Sequence, residues 1–160
     1  MSKFKLFRPF IAALLCTCSA LSFADNSDAI LTVNDHGKKA YFTLEQLLAH
    51  ADQEITTNTP WTQDNTKFVG VSAQELLKLI GRDNTDLKVV ALNNYWSTIP
   101  YSDIEKYNPL FAVKKDGEVM SVRDKGPIWV IYPLTDFDEL NNEVLHSRMV
   151  WQVSQIETMN

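Results

Sequence analysis

After Cys18 the chain contains no further cysteine, and Cys16 and Cys18 themselves fall in a segment that reads as a leader. Whatever fold follows must be held by its apolar core alone. Disulfides, zinc–thiolate sites, iron–sulfur clusters and cysteine nucleophiles are all excluded from it. The leader carries three marks. Lys3, Lys5 and Arg8 form a positive start free of acids, residues 10–21 (FIAALLCTCSAL) are a short apolar run, and Ser22-Phe23-Ala24 has the small-x-small pattern of a cleavage site. About a dozen apolar residues fall short of the ~20 that span a bilayer. Neither cysteine is placed as a lipoprotein anchor would be, since Cys16 follows Leu15 and Cys18 follows Thr17. We expect general-secretion export, cleavage after Ala24, and a soluble periplasmic or secreted product with no membrane insertion afterwards.

Losing Lys3, Lys5 and Arg8 with the leader takes the formal charge from −5 to −8. Nucleic acids and anionic membrane surfaces are thereby disfavoured as partners, because affinity for phosphate rests on clustered Lys and Arg. Residues 25–160 show no Pro/Gly/Ser-rich linker and no long run of like charge, so they read as a single domain. A chain of this size can bury well over ~60% of its extended surface, enough for a core without covalent staples.

The pattern along that domain is mostly strand. Residues 29–33 (AILTV) and 39–42 flank a turn at Asn34-Asp35-His36-Gly37, and 54–59 and 67–71 flank a polar loop carrying Pro60 and Trp61. Residues 87–92 (LKVVAL) turn at Asn93-Asn94 into 95–99, and 110–114 turn at Asp116-Gly117 into 118–122. Residues 127–132 (PIWVIY) and 149–156 (MVWQVSQI) complete the strands. Three short helices interrupt them. Thr43 with Gln46 and Ser72 with Glu75 are capping boxes, each followed by apolar residues at helical spacing: Leu44, Leu47, Leu48, Ala51, then Ala73, Leu76, Leu77, Ile80. Gly81 is placed to close the second helix in a left-handed conformation. Ser102 with Glu105 opens the third, which ends at Asn108-Pro109. The expectation is an α+β, β-rich mixed-sheet domain with three short helices.

Most catalytic chemistry finds no pattern here. The five glycines, Gly37, Gly70, Gly81, Gly117 and Gly126, fit turns or element ends and make no phosphate loop. His36, His50 and His146 lack metal-ligand spacing, and no nucleophile elbow is present. Two segments stand out instead. One gathers amides and aromatics at a strand turn: Asn93, Asn94, Tyr95 and Trp96. The other, with Arg123, Lys125 and Gly126, is a basic loop entering an apolar strand. Aromatics and amides beside a small basic patch could hold a planar polar or anionic ligand, although from pattern alone a plain hairpin and a Gly-Pro turn are the better account of both segments.

Those segments, in that order, resemble the molybdopterin-binding domain of the sulfite oxidase family of oxidoreductases. The resemblance runs through Phe68-Val69-Gly70-Val71, the Leu76-Leu77 helix, residues 91–100, Leu110-Phe111-Ala112-Val113, Asp116-Gly117-Glu118 and residues 126–133 (GPIWVIYP). It covers about residues 53–156 and implies a β-rich mixed fold. In that family catalysis depends on a cysteine thiolate bound to molybdenum. Its place here falls near Thr59 to Trp61, where a neutral hydroxyl cannot replace a soft anionic sulfur. The family's arginine-rich stretch is replaced by Gln63, Asp64 and Asn65, leaving Arg123, Lys125 and Arg148 as cations for a pterin pyrophosphate. Family enzymes also load their cofactor before crossing the membrane folded, usually behind a twin-arginine signal, whereas Arg8 here is followed by Pro9.

These features lead us to expect a soluble periplasmic binding or accessory protein that keeps the fold without the chemistry. No catalytic residue, no metal and no cofactor are expected, molybdopterin being disfavoured. The ligand-binding candidates are Thr59, Trp61, Asn93, Asn94, Tyr95, Trp96, Arg123, Lys125, Gly126 and Arg148. The partners in view are a small polar or anionic ligand and a membrane sensor. A molybdopterin-dependent oxidoreductase with an unusual ligand set and a purely structural interaction module using Trp61 and Trp96 are the alternatives.

Overall fold

The computed structural model describes residues 26–159; the expected leader, with both cysteines, lies outside them. Strand β1 (Ala29–Asp35) turns through His36 and Gly37, both at positive φ, into β2 (Lys38–Thr43). Helix α1 (Leu44–Ala49) follows, then β3 (Gln53–Thr57), β4 (Thr66–Ser72), helix α2 (Ala73–Leu79), β5 (Asp86–Ala91) and β6 (Trp96–Ile99). Helix α3 (Tyr101–Tyr107), β7 (Leu110–Lys115), β8 (Glu118–Val119), β9 (Trp129–Ile131), helix α4 (Glu143–Arg148) and β10 (Val153–Met159) complete the order.

Two five-stranded sheets result. The first runs β2-β1-β10-β5-β6, antiparallel except where β1 lies parallel to β10. The second runs β3-β4-β7, with β8 and β9 sharing the far edge of β7 at its two ends. Strand β5 buries Leu87, Val89 and Ala91 and turns Lys88 and Val90 outward, the alternation of a sheet with one covered face. In β7 all of Leu110, Phe111, Ala112 and Val113 are buried, so the centre of the second sheet is covered on both sides. One continuous apolar core joins residues of both sheets to α2 and to Leu47 of α1.

The α+β mixed-sheet expectation holds, with corrections at single elements. Thr43 and Gln46 form the full capping box. At α2 only half of one exists: the Ser72 hydroxyl accepts from the Glu75 N–H. The Ser72 N–H and hydroxyl both donate to Asp52, leaving Glu75 to pair with Lys78. Gly81, at φ 69°, ends α2 in a Schellman arrangement, its N–H donating to the Lys78 carbonyl and that of Arg82 to Leu77. Ser102 does not open α3. Pro100 stands at that cap, and the Asp86 carboxylate reaches across from β5 to accept the Tyr101 N–H.

The strand expected over 118–122 is only Glu118–Val119, because the chain then winds into a 3-10 turn over Val122–Asp124. A fourth helix, α4, occupies the approach to the last strand, capped by the Asn142 side chain accepting from the Leu145 N–H. Two glycines expected at turns or element ends instead allow close approach. A Cβ at Gly70, inside β4, would overlap the Phe111 carbonyl oxygen, and one at Gly126 would overlap that of Met120.

Candidate functional site

The turn from β5 to β6, helix α4 and the loop holding Trp61 enclose a cleft of about 450 Å³. Trp61, Ala91, Asn93, Tyr95, His146 and Trp151 are among its walls, with Met149 and Val150 buried at its base and Glu143 exposed at its rim. Alternation along the strand sorts the first candidate segment. Asn94 supplies the left-handed turn at φ 64°, and the Asn93 side chain accepts the Tyr95 N–H. Tyr95 then reaches α4, its hydroxyl donating to the Ser147 carbonyl at 2.9 Å. Trp96, one residue on, pairs with Val90 in register and turns to the outer face of the sheet under the Lys88 ammonium.

The second segment lies behind this wall, and Gln152 joins the two. At φ 54° its N–H donates to the Lys125 carbonyl, its carbonyl accepts from the Leu92 N–H, and its side-chain amide donates to the Val122 carbonyl. Lys125 sets its ammonium 4.8 Å from the Trp151 ring centre and 5.7 Å from that of Trp129. Arg123 sits exposed in the 3-10 turn, and Gly126 is buried at a cis bond to Pro127. Neither lines the cleft.

Trp61 makes the corner of the site. Its ring meets Trp151 edge-on at 5.1 Å and 80°, Trp129 at 6.1 Å, and His146 at 6.0 Å. The loop that presents it is fixed by Thr59, a buried residue whose hydroxyl accepts the Trp61 N–H and bonds the Thr62 hydroxyl. Thr59 therefore positions Trp61, and its own surroundings are a separate polar recess with Asn58, Asn65, Asp138 and Asn141. His146 Nε2, 3.0 Å from the Asn141 side-chain oxygen, links that recess to the cleft.

Arg148 points away from the cleft. Its guanidinium donates to Asp103 at 2.6 Å, on the carboxylate oxygen that also accepts the Tyr132 hydroxyl at 2.8 Å. Burial first, and then the Asp103 charge, push the Tyr132 phenol far above its ordinary value, so it stays a neutral donor. This trio ties α3, the end of β9 and α4 together beneath the site.

Of the sequence candidates, Trp61, Asn93 and Tyr95 come together, while Thr59, Asn94 and Lys125 support them from behind. Glu143, His146, Ser147, Met149, Val150 and Trp151 were missed. The signal was weak: His146 is isolated in sequence, and Trp151 reads as part of an alternating strand. The Ser147 hydroxyl is spent on the Val144 carbonyl of its own helix, so it is not aligned with a base. Among the described residues no group of three or more His, Asp or Glu side chains is placed to hold a metal ion.

Over the described residues the architecture is an α+β fold of two sheets, the first of them mixed, with four short helices. Among solved structures, the chain is similar to the sulfane dehydrogenase SoxCD from Paracoccus pantotrophus, with a TM-score of 0.56 over 84% of this chain and 39% of that one. At 18% identity the likeness is one of fold, and this chain spans well under half of the solved one. No family model matches the sequence. No characterised protein matches it by sequence.

Proposed function

We propose that this protein is a soluble periplasmic binding module that receives a small ligand in the Trp61–Tyr95–Trp151 cleft and carries out no redox chemistry. The observation that carries the reading is the cleft itself: an apolar base, walls of aromatic rings and few polar groups, the usual make-up of a small-molecule site. A molybdenum pterin fits these residues poorly. Thr59, near the expected ligand position, is a neutral hydroxyl engaged in its own turn. Of the three cations expected to meet a pterin pyrophosphate, Arg148 is paired with Asp103, Lys125 is laid on indole faces and Arg123 stands exposed in its 3-10 turn. Native mass spectrometry and metal analysis of protein purified from its own compartment test the proposal. Mature chain beginning at Asp25 and free of molybdenum is expected; stoichiometric molybdenum overturns it in favour of an oxidoreductase.

A docking role is favoured by a second observation. Trp61, Leu92, Tyr95, Trp96, Val122 and Val144 are all exposed large apolar residues, and each lies on or next to the segments that rim the cleft. Trp96, set on the outer face of the sheet away from the cleft, is the most exposed of these rings and suits contact with a protein partner such as the ectodomain of a membrane sensor. On that reading Trp96→Ala leaves the fold and any small-ligand affinity unchanged but loses a partner in pull-down. A variant that retains every partner counts against it.

A further inference from the structure

A basic loop beside aromatics suggests a planar polar or anionic ligand, but the folded site presents a carboxylate. Arg148 is paired with Asp103, and Arg123 and Lys125 are outside the lining, Lys125 with its ammonium over the Trp151 ring. The carboxylate at the rim is Glu143, which enters no ion pair among the described residues and stands exposed. Behind it, Trp61 and Trp151 meet at 80° with centres 5.1 Å apart, forming a right-angled corner of indoles, with the Tyr95 ring also in the lining. Indole faces are electron-rich and attract cations, most strongly when the cation carries methyl groups and is weakly hydrated. The Lys125 ammonium already rests over Trp151 and Trp129, so the ring faces left for a second cation are those of Trp61 and Tyr95 and any face of Trp151 turned from Lys125. The domain's net negative charge would draw a cation toward it and repel an anion.

We infer that the cleft selects organic cations, specifically alkylated or quaternary ammonium groups, with the aromatic corner holding the methylated head and Glu143 supplying the opposite charge. The inference rests on the binding reading above and names the ligand class for the same cleft. Its volume, about 450 Å³, suits a small molecule rather than a single ion.

The test uses three probes of one shape: choline, its neutral isostere 3,3-dimethyl-1-butanol, and the anion 3,3-dimethylbutanoate. Each is titrated into the 25–160 chain while the tryptophan indole N–H signals are followed by NMR. Choline should shift the Trp61 and Trp151 signals and bind at least about fivefold more tightly than the alcohol, the scale of one exposed cation–π contact plus a rim charge. Glu143→Gln should cut that preference, read as the ratio of choline to alcohol affinity, about two- to fivefold. If the alcohol or the carboxylate binds as tightly as choline, the cation assignment is overturned while the cleft remains a binding site. If none of the three moves the indole signals, both readings fail.

Discussion

Asp103 accepts two hydrogen bonds on a single oxygen, from a phenol that is fully buried and a guanidinium that is mostly so. Removing its charge leaves Arg148 uncompensated, and Asp103→Asn should destabilise the protein by about 3 kcal/mol in urea unfolding. Tyr132→Phe, which deletes a charge-assisted bond and leaves the ion pair intact, should cost about 2 kcal/mol. Because the two changes act on the same oxygen, the double variant should lose less than their sum. Since Arg148 is the last residue of α4, Asp103→Asn should also broaden the NMR signals of His146 and Ser147 in the cleft wall.

Asp35 offers a separate test through pH. A hydrogen bond from Arg82, opposed by burial and assisted by Thr158, holds its carboxyl below the usual 3.8. A carboxylate with a lowered folded value stabilises above the unfolded value and loses that contribution as pH falls through the lowered one. Arg82→Gln should therefore flatten the decline of thermal midpoint on acidification below about pH 4. Neither partnership was legible in the sequence. Asp103 and Arg148 are 45 positions apart, and Asp35 and Arg82 are 47, with nothing local to join them. That is why Arg148 looked like a free cation for a ligand.

Elements were more readable where their signals are local. The Thr43–Gln46 box, the Gly81 close and the strand expected over 87–92 all depend on residues within a few positions of one another, and all hold, the strand as Asp86–Ala91. Long-range substitutions for local caps could not be read, as with Asp52 at Ser72 and Asp86 at Tyr101. Helix α4 escaped notice because six residues with Val144 exposed present no apolar face to detect. Ser72→Ala should cost about 1–2 kcal/mol, since one hydroxyl both caps α2 and binds Asp52. Gly70→Ala should cost about 3 kcal/mol or more, because its Cβ meets backbone that cannot move without parting β4 from β7. Chemical denaturation midpoints measure both.

At the scale of the whole molecule, composition and pattern gave the class of fold but not the order of its strands. Hairpins are local and were foreseen; the meeting of β1 with β10 is not. Nor could the sequence foretell that the β5–β6 turn, the Trp61 loop and α4 would share one cleft, because three chain-distant segments converge there. In the first sheet β10 lies between β1 and β5, bonded to both. Deleting residues 153–160 should therefore abolish cooperative unfolding altogether, seen as loss of a calorimetric transition, rather than lower its midpoint.

That central strand also has a place in time. Every strand of the second sheet is made before residue 132, whereas the β1–β2 and β5–β6 hairpins wait for a partner until residues 153–159 emerge. Ribosome-bound chains halted short of Val153 should thus remain open to protease across both hairpins, and the molecule should lock in a single late step once β10 is free. A chain built this way stays threadable until residues 153–159 have been made.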